Sequence, residues 1–384
     1  MRIIIDASQL GEKPTGIQVF TQNMLKSVSD IDKINTYEIY GTPFNKVQSG
    51  ITNDKFTINK IPTSIQNTYL WKIWYQSGFS IQLSITHPDL FVSTNHVIPL
   101  FCRSPLVAII YDITPLIVDK ALGLFANTLF SLNARYTARN ASAIITISQS
   151  SKRDIINYFK VKSEKIYVIY PGYDDALFTA QQNSEAIEIA KQKLNIIGNY
   201  ILYAGTLQTN KNIPRLIEAF TLLKERDQIN HKLVLAGKPS AGYDDITKAV
   251  RSSSANEDII LTGYVSKELL PGLLKGADVF VFPSLYEGFG IPPVEAMACG
   301  TPVITSNTSS LPEAVGDAGI LIDPYDVTGL ADAVYRVISD EKLRSDLRQK
   351  GLKRVKMFSW ERAGREFLQT FELVGTHRNN AAFR

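Results

Sequence analysis

Two glutamates, Glu287 and Glu295, stand eight positions apart around the stretch Gly288-Phe289-Gly290-Ile291-Pro292-Pro293-Val294. A carboxylate accepts hydrogen bonds from hydroxyl groups, so a pair at the two ends of one loop can grip a polyhydroxyl ligand at both ends. Taken alone, the pair also fits a solvated loop charge and a first-turn carboxylate favoured by the helix dipole. The glycines and prolines between them favour binding, because such a loop is costly to order without a task. Lys211 lies in Asn210-Lys211-Asn212, after Gly205-Thr206-Leu207 and just before a helix start. An ammonium there is a natural point charge for a diphosphate, and equally a solvated loop lysine. Tyr111-Asp112 is a polar pair at the end of the apolar run at 106–110. Gly16 follows Pro14 and Thr15 at a helix entrance, where a missing side chain lets a phosphate approach the backbone; a plain strand-to-helix turn reads the same way.

These groups need elements to hold them. Residues 278–282 form a short apolar, β-branched and aromatic run that reads as a buried parallel strand ended by Pro283. Pro292 and Pro293 suit a first helical turn, and Gly300 closes the helix that comes after them. A glycine-rich loop thus leaves the carboxyl end of a strand and feeds a helix N-terminus. In open α/β sheets ligands bind in that crevice, and the free N–H groups suit an anionic or polyhydroxyl one. Further strands are expected at 2–5, 37–40, 56–58, 89–92, 106–110, 142–147 and 166–170, then at 200–203, 232–235, 259–261 and 302–305. Helices are expected at 17–29, 67–83, 121–139, 148–159, 213–226, 244–252, 266–276, 327–340, 341–357 and 360–373, with a frayed tail. The polar segment 174–195 reads as a linker. Two strand–helix alternations on either side of it imply an α/β protein of two doubly wound, Rossmann-like domains facing a cleft, residues 1–180 and 181–359.

At 384 residues the chain exceeds what one core usually fills. With 45% hydrophobic and 20% charged residues it has an ordinary globular composition, and it contains no apolar run of membrane-spanning length. It starts directly in a strand, without the apolar segment of a secretory signal, and Cys102 and Cys299 are too few for a disulfide framework, so a cytoplasmic location is expected. Residues 1–180 hold 17 Lys+Arg against 13 Asp+Glu, whereas 181–384 hold 24 of each. That excess reads as a solvated surface, or as contact with anionic lipid or a phosphorylated acceptor. The aromatic segment 67–83 reads as core; Trp71 and Trp74 with Lys72 between them also suit a membrane-interface or acceptor face. No basic block with interleaved aromatics points to nucleic acid. The four histidines are scattered and no metal set has ligand spacing, so no metal ion is expected.

The stretch EGFGIPPVEAMACGTPVI resembles the signature of the retaining, nucleotide-sugar-dependent glycosyltransferases of the GT-B fold, family 4 (glycosyl transferases group 1). SAIITISQSSKRDIINYFKVKSEKIYVIYPG is similar to the end of that family's N-terminal domain, and GTLQTNKNIPRLIEAF to its donor-phosphate loop. The resemblance implies a C-terminal donor domain and an N-terminal acceptor domain, the latter braced by a last helix at about 360–374 that crosses back. It implies Glu295 on the ribose, Glu287 on sugar hydroxyls, and backbone N–H groups of Gly288, Phe289 and Gly290 on the ligand. Gly205, Thr206 and Lys211 would take the diphosphate, Tyr264 and Val265 the base, and Gly16 the diphosphate and acceptor. Asp112 and Tyr111 would orient the acceptor and the oxocarbenium-like sugar. Tyr111 departs from a frequent family histidine, and Thr206 and Asn210 stand where arginine is frequent. The implied activity is transfer of a hexose from a GDP- or UDP-hexose to a hydroxyl of a growing glycan or lipid-linked saccharide, without cofactor or metal, with a peripheral contact at the inner membrane surface. The GTL loop and YD pair are similar to those of mannosyltransferases of polysaccharide and lipopolysaccharide assembly. The alternatives are a non-catalytic nucleotide-sugar-binding scaffold and an epimerase or phosphorylase of the same fold.

Overall fold

The computed structural model describes residues 1–8, 10, 16–41, 50–60, 70, 73–118, 124–181 and 184–381. They form two compact units: Met1–Gly172 with Ser359–Arg384, and Tyr173–Phe358.

The first unit is built on seven parallel strands, β1 (Arg2–Ala7), β2 (Thr36–Gly41), β3 (Phe56–Lys60), β4 (Leu90–Ser93), β5 (Leu106–Ile109), β6 (Ala143–Thr146) and β7 (Ile166–Val168). Their order is β3-β2-β1-β4-β5-β6-β7. Strands covered on both faces read as continuous apolar runs, and β1 shows how the two faces divide. Ile3, Ile5 and Ala7 belong to the core holding Phe20, Met24 and Phe367, and Ile4 to the one holding Tyr75, Phe79 and Phe91, as the two-residue period of a strand requires. The order reverses between β1 and β4.

The helix Trp360–Ala381 lies on the helix Gly16–Ile31. Phe20 meets Trp360 and Phe367 edge-on, with ring centres 5.4 and 5.9 Å apart. A Cβ on Gly172 would lie 2.3 Å from the Trp360 nitrogen, so only glycine lets the chain leave this unit and re-enter it side by side. The last helix therefore does cross back, and it continues to Ala381 where fraying was expected from 377.

The second unit carries six parallel strands, β8 (Tyr200–Ala204), β9 (Lys232–Ala236), β10 (Ile259–Gly263), β11 (Val279–Phe282), β12 (Val303–Ser306) and β13 (Gly319–Ile322), in the order β10-β9-β8-β11-β12-β13. Here the reversal falls between β8 and β11. The helix Ile213–Arg226 buries Ile213, Leu216, Ile217, Phe220 and Leu223, an apolar stripe at helical spacing that faces the sheet layer and the helix Val327–Ser339.

Three expectations change. The segment 174–195, read as a linker, contains the helix Ser184–Lys193, which packs on the helix Leu270–Lys275 so closely that a Cβ on Gly272 would be 2.2 Å from the Ala186 carbonyl oxygen. Its one buried residue is Ala190, too little to stand out in a polar sequence. The helix expected at 266–276 begins only at Leu270, with Pro271 in its first turn. Of the helix expected at 67–83, Trp71 and Lys72 lie outside the described residues, and a π-helical turn, Tyr75–Phe79, runs directly into the helix Ser80–Thr86. Among the described residues no helix is long and apolar enough to cross a membrane.

Candidate functional site

Doubly wound sheets bind ligands beyond the carboxyl ends of the strands where the order reverses. In the second unit that position is the end of β8 and of β11, and the sequence-selected residues converge there. After β8 the chain passes Gly205 and Thr206 into the 3-10 turn Thr209–Lys211. A Cβ on Gly237 would lie 1.7 Å from the Gly205 carbonyl oxygen, so two loops touch backbone to backbone beneath the site. The Tyr203 hydroxyl donates to the Thr206 carbonyl at 3.0 Å.

Lys211 Nζ makes an ion pair with Glu287 Oε1, both side chains being mostly buried at 12% and 15% exposure. The ammonium also lies 5.4 Å from the centre of the Phe282 ring at the end of β11. Asn210 fixes this meeting. Its carbonyl accepts the Leu285 N–H at 2.8 Å, and its side-chain amide donates to the Tyr286 carbonyl at 3.3 Å. Gln208 Nε2 in turn holds Asn210 Oδ1 at 2.7 Å. From the other side, the Glu287 N–H donates to Ser309 Oγ at 3.0 Å and Ser310 Oγ donates to the Glu287 carbonyl at 2.9 Å. The place where arginine was expected is thus taken by a buried asparagine that ties the two loops together. Sequence reasoning marked Asn210 only as a departure from arginine and missed Ser309 and Ser310; the available signal was a row of amide and hydroxyl residues beside each charged one.

Beyond Glu287 the chain turns at Gly290, whose φ of 104° and whose absent Cβ, 2.8 Å from Leu311, both demand glycine. Gly290 precedes the helix Ile291–Ala298, with Pro292 in its first turn. Phe289 is buried, its ring edge-on to Phe358 at 5.1 Å, so its side chain anchors the loop that also carries Gly288. Glu295 is partly buried on that helix, and burial pushes its carboxyl up to about 7; the Lys267 charge opposes the rise and Asp174 adds to it. The two glutamates have different cationic neighbours, Lys211 and Lys267, and so mark two separate ends of the loop. At the end of β10, Tyr264 is 63% exposed with Lys238 Nζ 4.3 Å from its ring centre, and Val265 comes next, half-buried.

The first unit holds the remaining candidates. Gly16 opens the helix Gly16–Ile31, and no atom of the described residues lies within 4 Å of where a Cβ would stand. Asp112 accepts the Thr114 N–H at 2.9 Å ahead of the short helix Thr114–Ile117. Tyr111 is tied into the packing of its own unit. Its hydroxyl donates to the Thr94 carbonyl at 3.1 Å and meets the Thr21 hydroxyl at 3.1 Å, and its ring packs edge-on against Phe20 at 5.1 Å. Burial raises its pKa. The phenol braces the end of β4 against the helix Gly16–Ile31. Asp6, which sequence reasoning passed over, is 1% exposed near the end of β1. Its Oδ1 accepts the Ser8 N–H at 2.9 Å, the Tyr75 hydroxyl interacts with the carboxyl, and burial raises its pKa. His96 is held neutral, its pKa pushed down to about 4 by burial, beside Phe130 at 4.4 Å. Among the described residues no group of three or more His, Cys, Asp or Glu side chains could hold a metal ion.

The geometry is therefore a mostly buried ammonium–carboxylate pair at one switch point, flanked by an exposed aromatic ring and a carboxyl of raised pKa. Comparison with known proteins fits it. Residues 185–354 match the model of the glycosyl transferases group 1, and residues 41–177 that of glycosyltransferase family 4. The O-antigen chain mannosyltransferase B of Escherichia coli is 33% identical over 235 residues, 61% of each chain. An uncharacterized glycosyltransferase of Methanocaldococcus jannaschii is 30% identical over 280 residues, 71% of this chain and 70% of that one. The match thus spans less than two thirds of the Escherichia coli relative. Among solved structures, Anabaena HepE in complex with UDP and glucose superposes with a TM-score of 0.74 at 20% identity, covering 96% of this chain and 99% of that one. The chain is a member of glycosyltransferase family 4, the glycosyl transferases group 1, with the GT-B fold.

Proposed function

We propose that this protein is a retaining, metal-independent hexosyltransferase that moves mannose from a nucleotide-diphosphate mannose to a hydroxyl of a growing glycan or lipid-linked saccharide. The observation that carries the reading is the Lys211–Glu287 ion pair at the end of β8 and β11. A nucleotide-diphosphate sugar has one group for each partner. Its diphosphate takes the ammonium and its sugar hydroxyls take the carboxylate, so neither charge is left unpaired when the ligand separates them. As the glycosidic bond breaks, negative charge gathers on the leaving diphosphate, and Lys211, already paired with that group in the bound state, stabilises it. Glu295 would accept the ribose hydroxyls, with Gly288, Phe289 and Gly290 lining the loop and Tyr264 and Val265 under the base. Same-face attack, with the leaving phosphate taking the acceptor's proton, requires no protein nucleophile. Asp112 remains the carboxylate offered to the acceptor. Family membership supports glycosyl transfer, the name of the Escherichia coli relative supports mannose and polysaccharide synthesis, and the UDP and glucose of the Anabaena neighbour support a nucleotide-diphosphate hexose.

The experiment is a thermal-shift panel with GDP, UDP, ADP, CMP and their sugar conjugates, with EDTA present throughout. A ligand at a hundred times its Kd adds about 2.7 kcal/mol, so one diphosphate family should raise the melting temperature. The product's anomeric configuration, read by NMR, should match the donor's. Turnover that EDTA abolishes, or an inverted product, would overturn the corresponding part of the reading. Binding without any transfer would favour a nucleotide-sugar scaffold.

A further inference from the structure

Tyr325 stands just beyond the end of β13 and is 63% exposed. An exposed aromatic ring is ordinarily mobile, yet this one is fixed by a closed circuit. The Arg215 guanidinium lies over one face, 4.9 Å from the ring centre. Arg215 Nη1 donates to Asn212 Oδ1 at 2.7 Å, and Asn212 Nδ2 donates to the carbonyl of Pro324, the residue before Tyr325, at 2.7 Å. The Tyr325 N–H donates to Asp323 Oδ1 at 2.9 Å. Asn212 is itself buried with a left-handed φ of 59° and directly succeeds Lys211. Ordering these side chains costs conformational entropy and gains no core, because the ring stays outside.

The opposite edge of the same sheet repeats the construction. Tyr264 comes just after β10, is equally exposed, and has Lys238 on one face. Since β10 and β13 are the two edge strands, two cation-backed tyrosines flank the end of the sheet that carries Lys211 and Glu287. We propose that Tyr325 is a stacking platform for a pyranose ring of the saccharide acceptor, an inference that rests on the glycosyltransferase reading above. The chemistry selects an uncharged ring. Arg215 behind the platform disfavours a cationic ligand, and the exposed Asp323 and Asp326 disfavour an anionic one while offering acceptors to sugar hydroxyls. The donor's own hexose is assigned to Glu287 after β11. From there β13 is two strand spacings away, about 10 Å, so the ring on Tyr325 belongs to a different sugar.

The test is saturation-transfer NMR and titration of the full chain with α-mannosyl probes from mono- to tetrasaccharide, with and without GDP. Tyr325→Ala should weaken binding of the longer probes by about threefold to tenfold, with Tyr325→Phe and Tyr325→Trp close to wild type and Arg215→Met intermediate. The melting temperature and the nucleotide-induced shift should be unchanged in the three Tyr325 variants. Equal probe affinity in Tyr325→Ala and wild type, or no probe binding to wild type, would overturn the platform. Loss of the nucleotide shift in wild type would instead strike the donor reading, since probe binding is measured without it.

Discussion

Lys211 and Glu287 are 76 positions apart in the chain and meet as an ion pair beside the ring of Phe282. Each belongs to a loop that the other stabilises, so they should behave as a unit. Lys211→Met should lower turnover by about a hundredfold to a thousandfold, the usual loss when one donor to a developing anion is removed. The double variant with Glu287→Gln should lose clearly less than the product of the two single losses. Steady-state rates of the four proteins decide it; independent, multiplicative losses would refute the coupling.

Glu295 sets a dependence on pH. Its carboxyl is raised from 4.5 to about 7 in the folded protein, so the folded state binds the proton more tightly than the unfolded chain. The stability this gives is complete below about 4.5 and is lost as pH rises through about 7, by roughly 3 kcal/mol at most. Glu295→Gln should flatten melting temperature against pH across that window. An unaltered slope would show that the carboxyl titrates normally.

Asp6 shows the same sign in the other unit. Burial raises its pKa, so ionising it costs stability as pH rises above the ordinary aspartate range. Asp6→Asn keeps an acceptor for the Ser8 N–H and removes the ionisation. The variant should gain on wild type as pH rises from acid to neutral. A melting-temperature difference that does not change with pH would count against it.

Tyr111→Phe separates a brace from a substrate contact. Losing the hydrogen bonds to Thr94 and Thr21 should cost about 1–2 kcal/mol of stability. Turnover at a temperature well below melting should stay within about threefold of wild type. A collapse of turnover with unchanged stability would put the phenol back in the chemistry.

Much of this site could be read from residue order. The β-branched run that becomes β11, the glycines after it and the glutamates around them are all local signals, and they led directly to Glu287 and Glu295. Lys211 was found in the same way, by its place after a glycine loop. Residue order hides which loops touch. Asn210 holds a carbonyl 76 positions away, and Asn212 one that is 112 positions away. Such bonds leave no periodicity. Tyr111 shows the same limit: its place at a strand end is local, whereas the direction of its hydroxyl is fixed by Thr94 and Thr21 on other elements. Asp6 was invisible because an aspartate ending a strand usually caps a turn in solvent, and only the packing of the sheet shows that this one is buried.

The contact between Gly172 and Trp360 bears on how the chain is made. Phe20 and Met24 share a core with Phe367 and Phe371. A ribosome releases the first of these long before the last. Until the final helix emerges, the nascent first unit lacks part of its own core, while the second unit, continuous from Tyr173 to Phe358, can already close. Synthesis should therefore finish the domains out of order, the downstream one maturing first. A chain stalled before residue 360 would display an apolar groove to chaperones, and supplying the missing helix as a separate peptide should relieve that binding.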